Sequence, residues 1–118
     1  MCESSHEDNS ADLASSEAIQ KIWRACKYNK VRLGASAQSN LQRWRIGSTD
    51  LQTAVVQHID AGRKFYKKYK KGVLLEKNFD ANVTIYEGKD VYVEMILTGS
   101  VFIILNAHEH TMHPRLPQ

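Results

Sequence analysis

Three histidines, His108, His110 and His113, fall within six residues directly after the apolar run Val101–Ala107. Histidine titrates nearest neutrality, so it can give and take protons or ligate a metal. Metal-free RNA cleavage needs such groups. One must deprotonate the ribose 2′-hydroxyl, another must protonate the leaving oxygen, and cations must stabilise the crowded, charged phosphorus of the transition state. His108 and His110 fit the acid/base pair, Arg115 the phosphate contact, and Tyr92 an accessory group. Zinc is a second use for the same residues, with His113 or Glu109 completing the set. No Cys, Asp or second cluster supports it, so the sequence predicts neither metal ligands nor a cofactor. A polar terminus without chemistry is the third use.

The charge pattern narrows the partner. Five of the 13 acids (Glu3, Glu7, Asp8, Asp12, Glu17) lie in residues 1–17, and all 16 Lys and Arg lie beyond them. The body therefore carries about +8, although the chain as a whole is only +3. Residues 18–49 hold seven bases, Arg43 and Arg45 among them, and no acid. Residues 63–71 add Arg63, Lys64, Lys67, Lys68, Lys70 and Lys71. Such a body attracts polyanions, RNA first among them, and Tyr66, Tyr69 and Tyr92 could stack on bases. A solvated surface that merely keeps the protein soluble carries the same charges.

These residues need elements to hold them. Residues 1–12 read as a disordered acidic tail, and residues 13–118 as one domain. A helix starts near Ser15 or Ser16, with Ile19, Ile22, Trp23 and Cys26 along one face. Residues 31–33 read as a short strand or an extended link. Ser36 offers a cap for a short helix over residues 37–45, and Ser48 or Thr49 caps the next, which runs to Gly62. Trp23 and Trp44 read as core anchors, His58 as a boundary histidine with a hydrogen-bond partner, and Cys26 as an inert buried thiol.

After Gly62 the period changes to that of strands: residues 73–77, 83–87, 91–97 and 101–107, with 65–69 either a fifth strand or the lead into the sheet. The fold class is α+β, with two or three N-terminal helices packed on one face of a four- or five-stranded antiparallel sheet. A three-residue turn at 98–100 would put Val91, Val93, Met95 and Leu97 on one face with Val101, Ile103, Leu105 and Ala107. Tyr92, Glu94, Phe102, Asn106, His108 and His110 would then share the other. A two-residue turn reverses the pairing, because a one-residue slip flips every side chain. No run is long enough to span a bilayer, and the acidic N-terminus lacks a signal peptide's apolar core, so a cytoplasmic protein is expected.

The stretch Ser36-Ala37 through Leu41, Arg43-Trp44-Arg45-Ile46, Asp50-Leu51 and Gly62, followed by a strand meander, resembles the RelE and barnase-like superfamily of small bacterial toxins. In several subfamilies a His-Ala start, an Arg and an Arg-Gly-Ile-Ser helix restart precede the sheet. Here Ser36 stands at the His position, and the restart reads Arg45-Ile46-Gly47-Ser48. The resemblance covers roughly residues 31–110. It implies a metal-independent ribonuclease with a cognate, acidic inhibitor protein as partner, its chemistry on the sheet face at His108 and His110 with Arg115. Two other functions fit the charges: a non-catalytic nucleic-acid-binding module and a protein-interaction or immunity-type module.

Overall fold

The computed structural model describes residues 13–99 and 101–109. The acidic tail, His110, His113 and Arg115 lie outside them. Among the described residues, three helices cover one face of a five-stranded sheet, and a short strand follows the first of them. The helices are α1 (Ser16–Lys27), α2 (Ala35–Trp44) and α3 (Ser48–Asp60). The strands are β1 (Arg32–Leu33), β2 (Tyr66–Lys70), β3 (Val73–Tyr86), β4 (Lys89–Thr98) and β5 (Val101–Glu109), in the spatial order β1-β5-β4-β3-β2. No helix is long and apolar enough to cross a membrane.

Local chemistry explains the helix ends. Ser15 Oγ accepts from the Ala18 N–H at 3.1 Å and caps α1. The helix before Trp44 starts at Ala35 behind Gly34, so Ser36 is not its cap. Likewise Gly47, not Ser48 or Thr49, occupies the N-cap of α3. There the Asp50 carboxylate reaches back to the Gly47 N–H at 3.4 Å and favours the positive helix end. Gly62 follows α3 with φ +81°, a left-handed turn that glycine adopts without strain.

The sheet corrects three expectations. Residues 78–82 join the two shorter predicted strands into one 14-residue strand, β3. Asn and Asp in Asn78-Phe79-Asp80-Ala81-Asn82 suggest a turn, but they alternate strictly with Phe79, Ala81 and Val83, which are buried. The polar members belong to a second face, not to a loop. The sheet is also mixed: β1 pairs parallel with β5, through Arg32–Ile103 and Leu33–Ile104, beside four antiparallel strands.

The third correction is the register of the last hairpin. Thr98 pairs with Val101, so two residues connect β4 to β5. Leu97 then pairs with Phe102 and Met95 with Ile104, which puts Phe102 on the helix side and in the core. The register shifts next: Glu94 pairs with Asn106, leaving Leu105 as an extra residue. From there Val93 pairs with Ala107 and Tyr92 with His108, so these residues share faces as the three-residue turn predicts, although the pairs themselves differ. Tyr92, Glu94, Asn106 and His108 thus share the face turned away from the helices, and Phe102 does not.

The core between helices and sheet is apolar, with two polar exceptions. Gln52 is buried in α3, where its Oε1 accepts from the Val31 N–H at 3.3 Å and its Nε2 donates to Asn29 Oδ1 at 2.7 Å and Ser48 Oγ at 3.0 Å. It ties the loop after α1 to the start of α3. His58 is the second. Its Nε2 donates to the Lys64 carbonyl at 2.9 Å, which leaves Nδ1 buried, unprotonated and without a hydrogen-bond partner.

Burial holds the His58 pKa below the ordinary value of 6.5, the Lys64 hydrogen bond opposes that shift, and the Arg63 charge adds to it. The folded imidazole thus resists a proton that the unfolded chain accepts. Its contribution to stability is present above about pH 6.5 and is lost as pH falls below that value. Urea midpoints should drop between pH 7 and pH 5, and His58→Gln, which keeps a donor, should flatten the drop. An unchanged pH profile in His58→Gln would assign the drop to other groups. Burial also pushes the Cys26 thiol up to about 12, so it stays protonated and unreactive.

Candidate functional site

Two rows of polar side chains cross the sheet face opposite the helices. Tyr66, Asp80, Glu94 and Asn106 occupy one set of paired positions across β2 to β5, and Asn82, Tyr92 and His108 the next. Asp80 and Glu94 are directly paired, and like charges in that relation repel. Lys68 offsets them: its Nζ lies 3.9 Å from Asp80 Oδ2 and 3.7 Å from Glu94 Oε1. The same ammonium donates to Tyr92 Oη at 2.9 Å, and that hydroxyl donates to Asp80 Oδ2 at 2.8 Å. Asn78 and Asn106 donate to the two Glu94 oxygens at 3.2 and 3.0 Å. Buried charges persist when they are paired and hydrogen-bonded in this way.

Tyr92 is only 2% exposed, so its hydroxyl works inside this network. Its ring lies parallel to His108, with centroids 5.3 Å apart and 3° between planes. The stack fixes the His108 ring from one side, while Lys68 and Asp80 fix the tyrosine.

At the end of β5 a cavity of about 360 Å³ is lined by Asn40, Arg43, Trp44, His108 and Glu109. Helix α2 brings the first three: positions 40, 43 and 44 lie on one helix face. Asn40 Nδ2 donates to the Ala107 carbonyl at 2.7 Å and so clamps α2 to β5. Arg43 Nη2 donates to Asn40 Oδ1 at 2.6 Å, which orients the guanidinium. From β4, Lys89 Nζ lies 4.3 Å from the Trp44 ring centroid and 3.3 Å from Glu109 Oε2. The cavity gathers an imidazole, a carboxylate and one cation, Arg43, and a second cation, Lys89, contacts its Glu109 and Trp44. That set can transfer protons and neutralise a phosphate without a metal.

The structure brings His108 and Arg43 together and connects Lys68 to His108 through Tyr92. Arg45 is exposed at φ 60°, one residue past α2. Arg63 and Lys64 are exposed after α3, Lys67 is half-buried in β2, and Lys70 and Lys71 are exposed where β2 turns into β3. His110 and Arg115 lie outside the described residues. Asn40, Lys89 and the 78–82 polar set escape sequence reasoning, because only the fold brings them near His108. The alternation at 78–83 was the one available signal. Among the described residues, no three His, Cys, Asp or Glu side chains converge as a metal-binding group. No family model, no curated protein and no solved structure matches this chain.

Proposed function

We propose that the protein is a metal-independent ribonuclease whose chemistry centres on His108. The observation that carries this reading is the cavity shared by His108, Glu109 and Arg43, with Lys89 paired to its Glu109. The Glu109 carboxylate takes the proton from the ribose 2′-hydroxyl, and that oxygen attacks phosphorus. The bond from phosphorus to the 5′-oxygen breaks, and the leaving oxygen takes a proton from the His108 imidazolium. The products are a 2′,3′-cyclic phosphate and a free 5′-hydroxyl. Arg43 and Lys89 neutralise charge on the phosphoryl oxygens. His110 and Arg115 follow His108 in the sequence and lie outside the described residues. Toxin-like use, held in check by a cognate acidic inhibitor protein, fits a body of about +8.

Cleavage of end-labelled RNA in EDTA tests the reading. His108→Ala should lower the rate about 10²–10⁴-fold, as loss of a proton-transfer group does. Arg43→Ala should weaken binding as well as rate. Cleavage that is absent, or unchanged in His108→Ala, overturns it. Exposed Arg63, Lys64, Lys70 and Lys71 favour a second reading, a nucleic-acid-binding module without catalysis. It is the better account if RNA affinity falls steeply with salt and with charge reversal at Lys70 and Lys71, but not in His108→Ala.

A further inference from the structure

A second cavity lies far along β5 from His108. It is a cleft of about 580 Å³ between α1 and the end of the β4–β5 hairpin. Its floor is apolar: Ala25 of α1 faces Leu97 of β4 and Phe102 of β5. Phe102 is buried, and Ala25 and Leu97 are half-buried. Its rim is cationic. Lys21, Arg24 and Lys30 line it, all three exposed, and none forms an ion pair among the described residues. The sequence supplies no acid anywhere in residues 18–49 to neutralise them. Cations in the last turn of a helix answer its dipole, which accounts for Arg24, but Lys21 is a turn earlier and Lys30 lies beyond the helix.

An apolar floor under a ring of unpaired cations is complementary to a ligand with an apolar body and one anionic head. The volume is typical of small-molecule sites, which run from about 300 to 1,000 Å³. We propose that this cleft binds a single-chain aliphatic carboxylate of the fatty-acid type. The chain lies against Ala25, Leu97 and Phe102, and the carboxylate is held by Lys21, Arg24 and Lys30. The site is independent of the ribonuclease reading and stands or falls separately from it.

The test titrates ¹⁵N-labelled full-length protein with three probes: dodecanoate, dodecyltrimethylammonium and acetate. Dodecanoate should give saturable amide shifts at Ala25, Leu97, Gly99 and Phe102. Dodecyltrimethylammonium, with the same chain and the opposite head, should bind at least tenfold more weakly, and acetate should give no saturable shift there. The double variant Lys21→Glu, Arg24→Glu changes only exposed positions and should lose at least tenfold in dodecanoate affinity. Ala25→Trp should fill the cleft and abolish the shifts. Equal binding of the two amphiphiles overturns the site, as does affinity unchanged in the double variant or no saturation at the cleft amides. Capture by phosphatidylglycerol vesicles without a response to dodecanoate also overturns it, and assigns the basic rim to a membrane surface.

Discussion

Replacing Lys68 with Met is expected to destabilise the protein by about 3 kcal/mol. Breaking a buried charge pair by removing one partner costs about 3–5 kcal/mol, because it leaves charge without compensation in a poorly solvated place. The low end applies here because the Lys68 side chain keeps 27% of its exposure, so water screens part of its charge. Asp80, at 1%, has no such access. The remaining pair, Asp80 and Glu94, are directly opposed on neighbouring strands, and the ammonium that lay within 4 Å of both is gone. Asp80→Asn in the same background removes one of the two charges and should recover part of the loss. A double-mutant cycle by urea denaturation reads that coupling, which reaches about 0.5–3 kcal/mol between residues in one network. A Lys68→Met protein within 1 kcal/mol of wild type would show that Lys68 contributes nothing beyond a surface contact. The substitution also removes the donor to Tyr92 Oη, so His108 should lose order along with stability.

Phe65→Ala is expected to cost more, about 4 kcal/mol, within the range of about 3–5 for deleting a buried aromatic ring. Phe65 is fully buried where the chain leaves α3 and enters β2. Its ring meets His58 edge-on, with centroids 5.4 Å apart and planes at 80°. Its carbonyl accepts from the Ala14 N–H at 2.9 Å, which holds the segment before α1 against the sheet. The lost ring opens a cavity at the meeting point of three elements. A fall in Tm of roughly 15 °C should follow for a chain of this size. The variant should also admit water to His58 and weaken the pH dependence assigned to that residue. A loss below about 1.5 kcal/mol would mean that the junction collapses around the smaller side chain.

The helices were legible because their signals are local. The stripe of Ile19, Ile22, Trp23 and Cys26 and the capping Ser15 identify α1 without reference to anything distant. The sheet was legible in kind but not in detail. Phe79, Ala81 and Val83 alternate with polar residues, yet Asn and Asp are usually turn formers, and only burial on both faces explains them in a strand. Strand β1 has two residues and too little pattern to announce a parallel partner at Ile103 and Ile104. Of the candidate site, His108 was visible because imidazole chemistry is readable from residue type alone. Arg43 was visible as charge, but its place in a cavity depends on the clamp from Asn40 to the Ala107 carbonyl, 67 residues away. Lys89 and Glu109 meet only because β4 and β5 pair in one register.

Leu105 gives β5 one residue more than its partner strand needs. Removing that codon alone would leave Ile104 and Ala107 toward the helices and Asn106 and His108 away from them, since the pairs on either side already match. Removing a codon from 106 or 107 would instead turn His108 inward unless the bulge absorbed the change. The strand therefore separates two properties that a gene usually alters together: which way its side chains face, and how sharply its end bends toward α2. Length variation at this one position offers a route by which the cavity could be re-aimed without rebuilding the core.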